Sequence, residues 1–245
     1  MIILLTNDDG FHAEGLQAFS EAMREIGEVY VVAPDQGRSC CSHAVTTHQE
    51  LTLNPMGNRE WTVSGTPADC VRVALRWLHI RPDWIVSGVN EGGNLGVDLH
   101  YSGTVAGARE GRLLGVPSMA ISQYLRRDRA RDWRLSAQRA RFAFQQWSSI
   151  PLADRAFWNI NLPVVDHREI ELNRIECLPE PQMLHFEFES SDASGSARDP
   201  NSPSSPSEQI IYRSNYQLRP RQEGSDVARC FGGAIVATQL SIDLI

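Results

Sequence analysis

The feature that most limits what this chain can become is its first ten residues, MIILLTNDDG. Ile2, Ile3, Leu4 and Leu5 form an unbroken apolar run, the pattern of a strand buried on both faces of a parallel sheet. The run ends at once in Thr6, Asn7, Asp8, Asp9 and Gly10. Open α/β sheets bind ligands at the carboxyl ends of their strands, so two adjacent acids are delivered to that edge. Side by side and partly desolvated they repel, and one holds a proton unless a cation lies between them. An oxygen-lined site for a hard cation is one reading; a helix start capped by Asp8 or Asp9 is the other.

The rest of the chain repeats the strand–helix order. Leu16, Phe19, Met23 and Ile26 recur at helical spacing, and Gly27 stands where a C-terminal cap belongs. Val29 to Ala33 is a second buried strand, closed by Pro34. Thr46–Leu53 and Trp61–Ser64 read as short strands around an Asn54–Asn58 turn. Thr66, Pro67 and Asp69 make a strong helix start, followed by an apolar face of Val71, Ala74, Leu75 and Leu78. Trp84–Val86, Ser118–Ile121 and Phe157–Leu162 read as further strands, with helices from Val105 to about Leu114 and along Ala137, Ala140, Phe144 and Trp147. This order predicts an α/β fold, a three-layer sandwich with a mostly parallel sheet.

After about Cys177 the texture changes. Leu184–Phe188 and Ile210–Tyr216 read as two strands of an extended hairpin, and Ser190–Glu208 between them is too polar to bury a core. Gly233–Ile245 returns to strand-like apolar residues that pack back on the main body. The expected organisation is a catalytic core over 1–177, a hairpin and assembly region over 178–232, and a C-terminal strand segment over 233–245 that returns to the core or to a neighbouring subunit.

Composition narrows the function classes. Thirty acidic residues against 23 basic give a net charge of −7 over 245 residues, which argues against a nucleic-acid-coating protein. No run reaches the length of a membrane span and no basic leader precedes the first strand, so a cytoplasmic protein is expected. Five scattered cysteines (Cys40, Cys41, Cys70, Cys177, Cys230) lack zinc-ligand spacing and read as reduced thiols. His12, His43 and His100 read as surface or supporting residues, and Arg126, Arg127, Arg129 and Arg131 as a solvated approach to a helix.

The chemistry gathers in three loops that follow strands. The first carries Asp8 and Asp9, the second Ser39, and the third Asn90, Asn94 and Tyr101-Ser102-Gly103-Thr104. Asp, Ser and Asn offer hard oxygens suited to Mg²⁺, Mn²⁺ or Ca²⁺. Ser102 to Thr104 sit at a helix N-terminus, a place that favours phosphate. A cation site and an anion cradle on one edge point to phosphate-ester chemistry.

TNDDG, VVAPDQGRS, SGTPADCV, SGVNEGGNLG and YSGTVAGAREG, in that order and spacing, resemble the SurE family of survival-protein nucleotidases, and Asn159–Pro163 (NINLP) continues the likeness. The resemblance implies a divalent-metal-dependent phosphatase for nucleoside 5′- and 3′-monophosphates. It also implies a Rossmann-like core with a protruding β-hairpin, one Mg²⁺ or Mn²⁺ per subunit, and a homodimer or homotetramer built by exchange of C-terminal elements. Carried over residue by residue, it places metal ligands at Asp8, Asp9, Ser39 and Asn90, with Asp8 and Asp9 catalytic, and phosphate contacts at Asn94, Ser102, Gly103 and Thr104. Water is the most economical nucleophile, with an aspartyl-phosphate route and a non-catalytic nucleotide-binding regulator as alternatives. The family usually has glycine after the ligand serine, where this chain has Cys40, and commonly has proline where this chain has Gln239.

Overall fold

Residues Ile2–Thr6 form strand β1 at the centre of the molecule, with β2 (Glu28–Pro34) hydrogen-bonded to one side and β5 (Trp84–Glu91) to the other, both parallel to it. The computed structural model describes residues 1–164, 186–190, 210–214 and 216–243. The elements between and after these strands are α1 (Glu14–Met23), β3 (Leu53–Gly57), β4 (Glu60–Val63), α2 (Pro67–Arg72), α3 (Asp98–Tyr101) and α4 (Gly103–Leu113). They continue with β6 (Ser118–Gln123), α5 (Trp133–Ser148), β7 (Ala156–Leu162), β8 (Phe186–Ser190), β9 (Ile210–Ser214), α6 (Asp226–Phe231) and β10 (Val236–Ser241).

Eight strands form the main sheet in the order β10-β7-β6-β5-β1-β2-β4-β3. The inner pairings are parallel, and β10 and β3 close the two edges antiparallel to β7 and β4. From β1 the chain builds outward through β2 and β4, then returns to the other side of β1 to lay down β5, β6 and β7. The direction of building reverses between β1 and β5, which makes their carboxyl ends the switch point where such sheets hold ligands.

Alternation along β1 decides the layers. Ile3 and Leu5 face α1 and α5, where Leu16, Phe19 and Met23 meet Ala140, Phe144 and Trp147. Leu4 faces the opposite layer with Val32, Val71, Ala74 and Ile85, under α2. Phe19 and Phe144 are 0% and 1% exposed, so truncating either to alanine costs roughly 3–5 kcal/mol. The expected three-layer α/β core is what forms. No helix among the described residues is long and apolar enough to cross a membrane.

Several local expectations shift. Residues 46–52 form no strand; β3 is Leu53–Gly57, so the hairpin turns at Asn58–Arg59, where Arg59 takes a φ of 65°. Helix α1 stops at Met23, three residues before Ile26. Gly27 is not a left-handed cap: a Cβ there would lie 2.8 Å from the Met1 carbonyl, so the glycine permits the chain to pass β1. The Thr66/Asp69 capping box forms as read, but α2 passes after Arg72 into a π-helical turn over Val73–Trp77. Strand β5 runs on to Glu91 through a bulge: Gly88 and Val89 oppose the single residue Ile121. A Cβ on Gly88 would sit 2.1 Å from the Ile121 carbonyl, which only glycine avoids.

The hairpin pairs as expected, antiparallel with Phe186 opposite Ser214 and Ser190 opposite Ile210. Leu184, the 177/178 boundary and residues 191–208 of the polar connection lie outside the described residues. Strand β10 does return to the body, pairing with β7 of its own chain from Val236–Asn161 to Ser241–Ala156. Cys40, Cys41, Cys70 and Cys230 are free thiols; Cys177 lies outside the described residues.

Candidate active site

The two acids do not cap a helix: α1 begins at Glu14 with Ala13 as its N-cap and no side-chain cap bond. They lie in the turn after β1, at the switch point. Asp8 is 6% exposed, and its Oδ1 accepts a 2.5 Å bond from the Thr104 hydroxyl. Burial pushes its pKa up, while the Thr104 hydroxyl and the amides of Thr104 and Gly103 pull against the rise. Asp9 is half-buried and accepts from the Glu91 amide at 2.9 Å, a bond that ties β1 to the end of β5. Burial first, and then the neighbouring Asp8 charge, raise its pKa to about 6.

The second loop wraps this turn. The Arg38 amide donates to the Asp8 carbonyl at 2.6 Å, and the Phe11 amide to the Pro34 carbonyl at 2.8 Å. Ser39 lies on the exposed crest between Arg38 and Cys41, and Cys41 reaches in beside Asp8 and Gly103. Burial and the Asp8 charge push the Cys41 thiol up to about 11, which keeps it protonated at neutral pH. Cys40 and Ser42 stand at φ values of 56° and 52°, in the left-handed region. A non-glycine residue in that region costs about 1–2 kcal/mol, so Cys40 stands where a glycine would be relaxed.

Of the third loop, Asn90 ends the bulged strand next to Glu91, and its Nδ2 donates to the Gly92 carbonyl at 2.8 Å. Asn94 is held in a buried polar network: Nδ2 donates to Ser122 Oγ at 2.7 Å, and its amide to Asn161 Oδ1 at 2.8 Å. Its carbonyl accepts from Asn159 and Asn161, each at 3.0 Å. Helix α4 starts at Gly103, two residues earlier than expected, with Ser102 as N-cap accepting from the Val105 amide at 3.0 Å. Gly103 is required by close approach, since a Cβ would meet Asp8 Cβ at 2.8 Å and Cys41 Sγ at 2.7 Å.

The structure thus brings Asp8, Asp9, Gly103 and Thr104 into direct contact or one bond's reach, and carries Asn90 there through Glu91. It also shows where the groups read as a phosphate cradle spend their bonds. The Thr104 hydroxyl and the Gly103 and Thr104 amides turn to Asp8, and the Ser102 oxygen turns to Val105.

Two supporting clusters escaped the sequence reading. Glu110, 1% exposed, accepts from Arg72 Nε at 2.5 Å and pairs with His43 Nε2 at 2.8 Å, which pins the serine loop to α2 and α4. Burial pushes the Glu110 pKa up, but the His43 and Arg72 bonds outweigh it and the net shift is down. The second cluster is the Asn159–Asn161 pair under Asn94; its signal was visible as two asparagines alternating with Trp158, Ile160 and Leu162.

Among the described residues no three His, Cys, Asp or Glu side chains gather as a metal cluster. The donor set on offer is two carboxylates with neutral hydroxyl and amide oxygens. That set fits Mg²⁺ or Mn²⁺, which use one or two carboxylates and leave positions for water and phosphate. The upward-shifted acids fit it too, because a cation between them removes the repulsion that raises them.

Fold and site together define a Rossmann-like α/β protein with a hard-oxygen acid pair at the switch point of its sheet. The chain belongs to the SurE family: the model for survival protein SurE matches residues 3–178. A relative from Synechocystis, provisionally named a 5′-nucleotidase, is 37% identical over 244 residues, which is 99% of this chain and 100% of its own length. The protein named 5′-nucleotidase SurE in Myxococcus xanthus is 47% identical over 163 residues, covering 66% of this chain and 62% of that one. The crystal structure of the SurE protein from Aquifex aeolicus superposes with a TM-score of 0.83 at 30% identity, covering 100% of this chain and 95% of that one.

Proposed function

We propose that this chain is a divalent-metal-dependent phosphomonoesterase that releases phosphate from nucleoside 5′- and 3′-monophosphates. The 5′-nucleotidase activity comes with the family, through the relatives that bear that name. The observation that supports the finer reading is the pair of desolvated, mutually repelling carboxylates at the switch point, with Asp8 bonded to the first turn of α4 and Asp9 to the end of β5.

In this reading Asp8, Asp9, Ser39 and Asn90 hold one Mg²⁺ or Mn²⁺, whose charge offsets that on the phosphate oxygens. Asp8 is the fixed member, oriented by Thr104 and Gly103. Asp9, with its pKa raised to about 6, takes a proton from an attacking water. Asn94 and Ser102 to Thr104 border the phosphoryl group, with the positive end of α4 directed at it. An attack by Asp8 itself, forming an aspartyl phosphate, is the second chemical route. Residues 1–177 carry this chemistry, 178–232 serve assembly into a homodimer or homotetramer, and 233–245 complete the sheet of the core through β10.

The test is phosphate release from a panel of nucleoside monophosphates with Mn²⁺, Mg²⁺ or chelator, alongside sedimentation at micromolar concentration. Turnover that needs the cation is expected, at a mass of two or four chains. Nucleotide binding without any phosphate release would instead mark a regulatory protein.

A further inference from the structure

Between β5 and α3 the chain carries Asn94 through residues 93–95, which have neither helix nor strand of their own. Buried backbone groups in such a stretch must find partners elsewhere. Asn159 and Asn161 take those of Asn94 itself. The flanking groups go to a distant part of the chain. The Tyr216 hydroxyl lies 3.0 Å from the Gly93 carbonyl, and the Gly96 amide donates to Asp226 Oδ2 at 2.7 Å, 123 and 130 positions away in sequence. Leu95 is fully buried and packs with Val227, Cys230 and Val236. A Cβ on Gly93 would stand 2.9 Å from the phenol oxygen, so a larger residue there would push Tyr216 off the loop.

Asp98 locks the arrangement. Its Oδ2 accepts from the Leu95 amide at 3.1 Å and from Arg219 Nη1 at 2.7 Å, and its Oδ1 from Arg219 Nη2 at 3.2 Å. The Tyr216 hydroxyl lies 2.9 Å from the same Oδ2, so its single hydrogen is shared between Gly93 and Asp98. Burial first, and then the Asp98 charge, hold the phenol pKa well above its ordinary range, which keeps that hydrogen in place. Arg219, 4% exposed, also sets its guanidinium 4.5 Å from the centre of the Tyr216 ring. A forked, charge-assisted pair of this kind fixes geometry as well as charge. Tyr216, Arg219 and Asp226 therefore meet the loop at its two flanks and at the carboxylate that closes it.

We propose that Tyr216, Arg219 and Asp226 are positioning residues for the phosphoryl site, forming a latch that holds the 93–98 loop and through it the Asn94 side chain. The inference rests on the reading of Asn94 as a phosphate contact, and it gives residues 216–226 a task inside their own subunit beyond assembly. Asn94 Nδ2 has two hydrogens, one of which goes to Ser122 Oγ at 2.7 Å, so the direction of the other is set by where the loop lies. A displacement of about 1 Å at such a group can cost on the order of a hundredfold in rate. The latch acts through Gly93, Gly96 and Asp98, not by contact with the reacting atoms.

The test compares full-length wild type with Arg219→Gln and Tyr216→Phe by calorimetry, first with Mn²⁺ alone and then, loaded with Mn²⁺, with inorganic phosphate. Steady-state kinetics with AMP follow. Tyr216→Phe keeps the ring against Tyr124 and Phe231 and loses only the hydroxyl, so it keeps the test valid if Arg219→Gln unfolds the protein. Mn²⁺ affinity is expected within twofold of wild type, because Asp8 and Asp9 are held from α4 and β5. Phosphate affinity is expected to weaken at least about tenfold in Arg219→Gln and about three- to tenfold in Tyr216→Phe, with kcat/KM per Mn²⁺-binding site falling by similar factors. A merely structural role would lower Tm and the number of sites but leave the phosphate affinity of each folded molecule unchanged. Phosphate affinity within twofold of wild type in Arg219→Gln, or in Tyr216→Phe should the first variant not fold, overturns the proposal. So does an equal loss of Mn²⁺ affinity, or a Mn²⁺-loaded wild type that binds no phosphate. A wild type that binds phosphate but hydrolyses no monophosphate refutes the nucleotidase reading, and weaker phosphate binding in the variants then still supports the latch.

Discussion

Asp9→Asn exposes the electrostatics of the acid pair without any substrate. The asparagine Oδ1 can still accept the Glu91 amide bond of 2.9 Å, so the substitution removes charge and little else. In the metal-free protein the Asp9 pKa stands at about 6 against 3.8 when unperturbed. A carboxyl that binds its proton more tightly in the folded state penalises folding wherever it is ionised. The penalty is complete above about pH 6, fades as pH falls, and is gone below 3.8, where the unfolded chain is protonated too. A shift of about two units corresponds to roughly 3 kcal/mol, and partial solvent access discounts it to about 1–3 kcal/mol.

For a chain of this length that is roughly 3–10 °C in Tm. Asp9→Asn is therefore expected to melt higher than wild type at pH 8 in chelator, with the difference shrinking to under about 1 kcal/mol near pH 4. Mn²⁺ should reverse the order, because binding stabilises the wild type by linkage and the variant less. Scanning calorimetry at the two pH values, with and without Mn²⁺, is the measurement. Equal melting at pH 8 without metal, or equal stabilisation of both proteins by Mn²⁺, would falsify the reasoning.

Thr104→Val keeps the side-chain shape but removes the 2.5 Å donor from Asp8; Mn²⁺ affinity should weaken roughly ten- to hundredfold by titration calorimetry. Unchanged Mn²⁺ affinity with a lower kcat/KM would put the hydroxyl on the substrate instead. Glu110→Gln should cost roughly 1–2 kcal/mol in urea unfolding at pH 7, since both its partners are partly solvated. Because the Glu110 pKa is lowered, that difference should be present above the unfolded value of 4.5 and vanish as pH falls through the lower folded value. A difference that persisted in acid would mean packing rather than charge. Cys40→Gly should relieve the left-handed φ of 56° and, after the greater freedom of the unfolded glycine, stabilise by up to about 1 kcal/mol. A lower Tm for this variant would show that the loop draws more from the Cys40 side chain than the strain costs.

The layered fold was readable because its signals are local and strong. Ile2–Leu5, Val29–Ala33 and Phe157–Leu162 are apolar runs that no other element accommodates, and the Thr66/Asp69 box caps its helix as its chemistry dictates. What failed were placements set by distant partners. Strand β3 was put seven residues early because Asn54, Pro55 and Gly57 are turn formers, yet β4 supplies the edge they pair with. Helix α6 was missed because six residues carry too little periodicity; its N-cap, Ser225, accepting from the Ala228 amide, was the available sign. The bulge at Gly88–Val89 belongs to the β5–β6 register, and a single strand carries no register of its own.

The site divides along the same line. Which loops reach the switch point was legible, since a buried parallel strand delivers the turn that follows it to the carboxyl edge of the sheet. The direction of each bond was not. Ser102, Gly103 and Thr104 look alike as helix-start donors whether they serve a phosphate or a neighbouring carboxylate, and only the packing of α4 against the β1 turn chooses. That packing is close enough to exclude a Cβ at Gly103, so the donors meet Asp8 before any ligand arrives. The consequence is two different surroundings for adjacent, chemically identical side chains. Asp8 is pushed up by burial, against which a hydroxyl and two amides work. Asp9, with one amide and a like charge beside it, holds its proton up to about pH 6. Both acids are therefore raised at one edge of one sheet, by desolvation and by each other, and a cation between them would remove the repulsion in that pair.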